Sequence, residues 1–305
     1  MKKIIVFLST YNGEKYLKEQ VESIFKQKNV EVYCIVRDDG STDKTKEILY
    51  QLKKKFLNME ILEGKNIGWK RSFYELVFNS KKADYYAFAD QDDVWFPDKL
   101  ERAIEKIAER EKEELKPILY YSDSYLVDEK LEIIGKSINF APPVNKETGL
   151  FFSFGQGCTM VFNNEARNLF TKKYFLVDIA HDWWLSILCL YFGEIIHDDF
   201  CSMYYRQHSN NVCGGTGKSK LNLLKEKIKE LKKGKNPYND CIYHGLLYDG
   251  YKELLQEKDK VVLKNLLKYK ISIFSKLSIL LNRNIKRHSI YGTFLLKLMI
   301  LFSKI

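Results

Sequence analysis

Tyr85-Tyr86-Ala87-Phe88-Ala89-Asp90-Gln91-Asp92-Asp93-Val94-Trp95 joins an apolar, aromatic run to three carboxylates within four residues. The run is short, continuous and β-prone, which predicts a buried strand. Three carboxylates at the end of a strand repel one another and destabilise the turn unless a cation sits among them. A hard divalent ion takes oxygen ligands and carries substrate phosphates on its other positions. One reading is therefore a metal–diphosphate site. The other is a solvated acidic turn and helix start, because Asp caps helices and Pro97 suits a first turn. The stretch alone supports both.

N-terminal to it, strand and helix patterns alternate. Residues 3–8, 31–37, 59–62 and 84–89 read as strands. Residues 14–26 read as a helix, with Tyr16, Leu17, Val21, Ile24 and Phe25 on one stripe, and further helices cover 43–56 and a segment ending at Ser80. This order predicts an α/β fold, a mostly parallel sheet with helices on both faces. Such sheets bind ligands beyond the carboxyl ends of their strands, near the switch point. The loops there, 9–13, 38–43, 63–68 and 90–93, are rich in Asp, Asn, Gly and Thr, as a polar ligand requires. Neither G-x-G-x-x-G nor G-x-x-x-x-G-K-[ST] occurs, so the dinucleotide and P-loop fingerprints are absent.

C-terminal to it, a helix is expected over 97–114 and short strands over 117–121 and 131–134, with Asp123-Ser124 after the first. Gly155-Gln156-Gly157-Cys158 is a glycine-bounded entry to another strand. His181-Asp182-Trp183-Trp184 opens an apolar helix through Phe192. A strand over 194–205 leads into Tyr205-Arg206-Gln207-His208-Ser209-Asn210-Asn211. Glycines in 213–219 mark a boundary, giving a first domain of 1–217 and a helical extension of 218–305.

The chain has 305 residues and is 45% hydrophobic, enough for one large domain with an appendage. None of its six cysteines forms a C-x-x-C pair, and several lie in apolar runs, which suits reduced core thiols in the cytoplasm. The apolar run at residues 4–8 is too short for a signal peptide and no cleavage site follows. No uncharged apolar stretch approaches the ~18 residues of a membrane span. The net charge of +10 is uneven: residues 218–305 carry 20 Lys and Arg against 7 Asp and Glu, a net +13, which leaves the front at −3. A basic tail attracts nucleic acid or an anionic membrane surface. Within the tail, Val262, Leu266, Tyr269, Ile273, Leu277 and Leu280 follow helical spacing. That stripe fits helices packing on the catalytic domain or a second subunit, or lying on a membrane.

Together, Ser9-Thr10-Tyr11-Asn12-Gly13, Asp38-Asp39-Gly40-Ser41-Thr42-Asp43, Asn66-Ile67-Gly68 and Asp90-Gln91-Asp92-Asp93 resemble the family 2 glycosyltransferases of the GT-A fold. His181-Asp182-Trp183-Trp184 and the 205–211 motif resemble the branch that builds bacterial surface polysaccharides, rhamnosyl- and hexosyltransferases among them. The resemblance covers about residues 3–215 and implies a Rossmann-like GT-A domain. It implies that Thr10, Tyr11, Asn12, Glu14, Asn66 and Lys70 line a nucleotide-sugar pocket, with Arg71 beside Lys70. Asp39 would accept the imide N–H of a base, favouring uracil or thymine over cytosine. Asp90, Gln91 and Asp92 match the D-x-D, with Asp92 on Mn²⁺ or Mg²⁺, His208 either a further metal ligand or a diphosphate contact on a mobile closing loop with Arg206 and Asn211, and Asp93 either at the metal or capping the next helix. Asp182 would be the catalytic base of an inverting transfer. Gly157, Cys158, His181, Trp183 and Trp184 would face the acceptor. The implied partners are a UDP- or dTDP-sugar and a lipid-linked saccharide, with the tail on the inner face of the cytoplasmic membrane and no nucleic acid. Two rival classes share some of these features. A nucleotidyl- or phosphotransferase also joins a divalent ion to a diphosphate, and a non-catalytic nucleic-acid or membrane module would use the basic tail.

Overall fold

The computed structural model describes residues 1–137, 141–142, 145–176, 179–208 and 241–303. Ser209, Asn210 and Asn211 of the late motif, Cys213 and the glycines of 213–219 lie outside them. The expected alternation is present: β1 (Lys2–Thr10), α1 (Leu17–Phe25), β2 (Val30–Asp38), α2 (Thr45–Lys55), β3 (Met59–Glu63), α3 (Trp69–Phe78) and β4 (Tyr85–Ala89). There follow β5 (Val94–Trp95), α4 (Lys99–Glu111), β6 (Ile118–Val127), β7 (Ile133–Lys136), a four-residue helix α5 (Lys146–Gly149), a 3₁₀ turn (Gly157–Thr159) and β8 (Met160–Asn163). Then come α6 (Asn164–Thr171), α7 (His181–Phe192) and β9 (Glu194–Arg206). The C-terminal helices are α8 (Cys241–Tyr251), α9 (Glu257–Lys268), α10 (Ile273–Leu281) and α11 (Ile290–Leu301).

One sheet runs in the order β3-β2-β1-β4-β8-β6-β9-β5, with β7 on β6. Its first four strands are parallel. Beyond β4 it is mixed: β8 is antiparallel to β4 and β6, whereas β9 is parallel to β6. Strand order reverses beside β1, so the loops after β1 and β4 flank the crevice where a parallel sheet binds ligands. Asp123 and Ser124, expected after a strand, lie inside the longer β6.

β4 is buried on both faces, which is why it reads as a continuous apolar run rather than an alternating one. On one face Ile4, Val6, Leu8, Tyr85 and Ala87 pack with Leu17, Val21 and Ile24 of α1 and Leu100, Ala103 and Ile107 of α4. On the other, Phe7 stacks on Tyr86, and Phe162 packs on Tyr86 and Phe88 at ring separations of 5.6 and 5.0 Å. Each fully buried side chain of this size contributes about 1.5–3 kcal/mol.

The chain divides into two compact units, Met1–Pro142 with Phe154–Asn211, and Pro143–Ser153 with Val212–Ile305. Residues 143–153, expected within the first domain, thus cluster with the C-terminal helices. Lys146 pairs with Asp259 at 3.0 Å, and the Thr148 hydroxyl donates to the Asn284 carbonyl at 3.0 Å. Within this unit the expected stripe breaks. Leu266 and Tyr269 are buried, but Ile273 and Leu277 are exposed, and Ser275 and Ile279 are buried instead. Among the described residues no helix is long and apolar enough to cross a membrane.

Candidate active site

Gln91 ties the loops after β1 and β4 together. Its Oε1 accepts the Thr10 hydroxyl at 2.6 Å and the Tyr11 N–H at 2.9 Å, and its Nε2 donates to the Tyr11 carbonyl at 3.2 Å. Gly13 allows this approach, because a Cβ there would meet Gln91 Oε1 at 2.4 Å. The Tyr11 ring remains 46% exposed, which leaves a face for a base. Asn12, at φ 48°, accepts the Thr42 N–H through Oδ1 and donates its own N–H to Ser41 Oγ. Glu14 accepts the Lys44 N–H at 2.9 Å. Both side chains therefore join the first loop to the second. Asp39 is buried, pairs with Arg37, and accepts the N–H groups of Ile67 and Gly68 at 2.9 Å each. Asn66 Oδ1 accepts the same Gly68 N–H at 3.1 Å. Asp39 thus holds the 66–68 loop over the end of β2.

At the other side of the crevice, His208 Nε2 lies 2.7 Å from Asp92 Oδ2, and its ring stacks on Tyr16 at 5.3 Å. Residues 116 positions apart meet because β5, directly after the acidic turn, pairs antiparallel with β9: Val94 with Tyr204, Trp95 with Met203. Arg206, expected on a closing loop with His208, is instead the buried last residue of β9. Its guanidinium donates to the carbonyls of Asp92 (2.9 Å) and Glu129 (2.7 Å) and to Glu19 Oε2 (2.6 Å), and it packs over the Tyr16 ring. Asp93 caps no helix. It is buried and accepts the Arg206 N–H at 3.2 Å, while Asp98 stands at the N-cap of α4.

Asp182 lies in the first turn of α7, whose N-cap is Ala180, and its Oδ1 accepts the Trp183 N–H at 2.7 Å. Burial raises its carboxyl above the ordinary carboxylate value, while the amides of Trp183 and Gly157 and the charge of Lys70 act the other way. Asp90 connects the two ends of the crevice: burial, then the charges of Asp92 and of Asp182, push its carboxyl up to about 7. Asp90 thus senses the charge of both Asp92 and Asp182. Gly157 opens the 3₁₀ turn and admits the first turn of α7, since a Cβ would lie 3.1 Å from His181 Nε2 and 3.2 Å from Asp182 Cβ. Lys70, half-buried at the start of α3, belongs to this side, and Arg71 is exposed.

Three acceptor-side expectations are corrected. Trp184 is 0% exposed, with Phe175 packed edge-on against it, so its indole presents no face to a sugar. Trp183, half-buried, keeps that possibility. His181 is buried among Phe73, Phe88 and Trp69, with ring centroids at 3.9, 4.4 and 5.8 Å. Neither of its ring nitrogens has a hydrogen-bond partner among the described residues, and burial holds its pKa down at about 3, so the ring is neutral. Cys158 is buried below the crevice floor, where its sulfur and carboxylate oxygens of Asp90 and Asp93 lie within 4.8 Å of one another.

This lower cluster is a poor seat for Mn²⁺ or Mg²⁺, which prefer oxygen donors to a thiol. It has a fixed cation already. Lys99 is fully buried, donates to Ser202 Oγ at 3.1 Å and lies over the Trp95 ring. Burial lowers its pKa to about 8, and Cys158 and Asp93 are the groups that favour its charge. Asp92 and His208 fit a divalent ion better: a carboxylate oxygen and an imidazole nitrogen face each other at the open end. Lys99 and Arg206 belong to the site without a local mark: Lys99 stands among the charged residues Asp98, Glu101 and Arg102, and Arg206 is followed by Gln207 and His208.

The sequence profile of glycosyl transferase family 2 matches residues 5–167. The dTDP-rhamnosyl transferase RfbG of Shigella flexneri is 31% identical over 223 residues, which span 68% of this chain and 73% of that protein. TuaG of Bacillus subtilis, assigned provisionally to teichuronic acid biosynthesis, is 30% identical over 107 residues, 35% of this chain and 42% of its own. Among solved structures, S. aureus TarS residues 1–349 in complex with UDP-GlcNAc superposes with a TM-score of 0.59 at 18% identity, covering 92% of this chain and 76% of that one. That likeness shows the GT-A fold. With the profile over more than half its length and a relative 31% identical across 68% of it, the chain belongs to glycosyl transferase family 2.

Proposed function

We propose that this glycosyltransferase is metal-dependent and inverting, and that it moves a sugar from a UDP- or dTDP-sugar to a hydroxyl of a saccharide acceptor in bacterial surface polysaccharide synthesis. The observation that carries the reading is the meeting of Asp92 and His208 at 2.7 Å, in a cleft whose Asp90 also feels Asp182. In this reading residues 1–217 form the catalytic domain and 218–305 a helical extension. The acceptor is lipid-linked, and turnover takes place at the inner face of the cytoplasmic membrane.

Tyr11 stacks on the pyrimidine, and the Gln91 bridge holds Tyr11 and Thr10 at a fixed distance from Asp90. Asp92 and His208 would hold Mn²⁺ or Mg²⁺, which when bound neutralises the charge that develops on the departing diphosphate. The Asp182 carboxylate takes the acceptor hydroxyl proton as that oxygen bonds to the anomeric carbon. The bond to the diphosphate breaks on the opposite face, so the anomeric configuration inverts. The half-buried setting of Asp182 limits water, which would otherwise compete as acceptor. A single displacement needs one base and no second carboxylate as nucleophile.

The test is incubation with UDP- and dTDP-sugars and acceptor glycans, with Mn²⁺ or Mg²⁺. Expected are release of the nucleoside diphosphate and a product of inverted configuration by NMR. Release of pyrophosphate would assign nucleotidyl transfer instead, and retention of configuration would remove Asp182 from its role.

A further inference from the structure

Each of the last two helices turns an apolar face to solvent. On α10, Phe274, Leu277 and Leu281 are spaced i, i+3 and i+7, and Phe274 and Leu281 are 83% and 78% exposed. On α11, Ile290, Phe294 and Leu301 share one side, with Ile290 86% exposed. The opposite sides are satisfied inside the unit: Ile279 of α10 and Leu296 and Met299 of α11 are buried. One half of each helix thus has no covering among the described residues.

Two lysines hold the pair. Lys297 of α11 donates to the carbonyls of Ile279, Leu280 and Asn282 at the end of α10, at 2.7, 3.0 and 2.8 Å. Lys276 of α10 donates to the Leu301 carbonyl at 3.3 Å and the Ser303 hydroxyl at 2.7 Å, at the end of α11. Each helix thus satisfies C-terminal carbonyls of the other. The exposed faces are carried on a fixed scaffold.

Charge selects what covers them. From residue 260 to 305 there are ten Lys and Arg and no Asp or Glu. Lys270, Arg283 and Lys286 are exposed. A second copy of this face would set like charge against like charge across a two-fold interface. Nucleic acid would neutralise the cations but leave the aliphatic stripe in water. An anionic bilayer surface meets both demands, taking the apolar side chains ~5–10 Å into the headgroup–acyl boundary and the cations at its phosphates. Helices of 12 and 9 residues are too short to span the ~20 residues a bilayer core requires, so they lie on it.

We propose that α10 and α11 form an interfacial docking face for an anionic lipid surface, with Phe274 and Phe294 as inserted anchors. This deepens the membrane placement proposed above by naming the surface, and it does not depend on which sugar is transferred.

The experiment is flotation of the full chain with phosphatidylcholine vesicles, with and without phosphatidylglycerol. The wild type should float with the phosphatidylglycerol vesicles, less so at high salt. The Phe274→Ser/Phe294→Ser variant, changed only at exposed positions, should bind at least about tenfold more weakly. Arg283→Ser/Lys286→Ser should weaken binding to anionic vesicles alone. A thermal shift with UDP and dTDP, run on each protein, reads the fold and the donor site separately from the membrane face. If the wild type stays at the bottom of the gradient, or the Phe variant floats equally well while folded, the docking face is refuted. Concentration-dependent self-association that the Phe variant abolishes, without flotation, would assign the face to a second copy and likewise overturn it.

Discussion

Asp182 and His181 are neighbours with opposite duties. Asp182→Asn keeps the shape of the α7 entry but cannot accept a proton, so kcat should fall about 10²–10⁴-fold, with nucleotide binding by calorimetry unchanged. Burial holds the His181 pKa down at about 3, against about 6.5 for an exposed imidazole in the unfolded chain, so the ring is neutral. Because the folded pKa is the lower one, the unfolded state binds the extra proton. Stability is therefore complete above about 6.5 and is lost as pH falls from there toward 3, by at most about 1.4 kcal/mol per pH unit for this one group. His181→Phe should flatten that part of the curve, read as the urea midpoint at pH 7 and pH 5. Arg206 is a third case. Arg206→Lys keeps the charge but loses the fork that reaches the Asp92 and Glu129 carbonyls and Glu19 together. It should destabilise the protein by about 2–4 kcal/mol and raise the Mn²⁺ concentration needed for half-maximal activity. Unchanged metal dependence would show that Arg206 does not position Asp92 and His208. Asp92 was legible because three carboxylates crowd one turn. Arg206 was not, because its partners lie in α1, the acidic turn and the turn after β6.

At the scale of elements, one glycine contact and one short strand pairing set the crevice. Gly157 lets the 3₁₀ turn sit against α7, and a Cβ in Gly157→Ala would press on His181 Nε2 at 3.1 Å and Asp182 Cβ at 3.2 Å, so one of them must give way. His181 is wedged among aromatic rings, so the first turn of α7 should shift instead. The expected result is a roughly tenfold to hundredfold loss of kcat with little change in donor affinity. An unchanged kcat would show that the α7 entry tolerates the shift. The β5–β9 pairing does the larger work. It is only two residues long, yet it brings the acidic turn to the end of a strand that starts a hundred residues later. The strands before it were readable from period and turn residues, because each is a local apolar run between Asn, Asp and Gly. A two-residue strand has no period to read.

At the scale of the molecule, the proposed reading gives diphosphate binding to the acid-bearing crevice and attraction to an anionic surface to α10 and α11, which carry no Asp or Glu. Chelation with EDTA should abolish turnover, with recovery on adding Mn²⁺ or Mg²⁺, while vesicle binding persists. Loss of both together would tie the two sites to one ion. The α/β order, the polar loops at the carboxyl ends of the strands, the acidic turn and the uneven charge were all determined by the sequence alone, because period, turn residues and charge are local properties. Tertiary structure alone decided that Trp184 and Cys158 are interior, that Arg206 reaches the Asp92 and Glu129 carbonyls, and which half of α10 and of α11 stays uncovered. Apolar residues lie on both the buried and the exposed sides of α10 and α11, so their local pattern does not mark the buried side, and a side chain's exposure is set by segments distant in the chain.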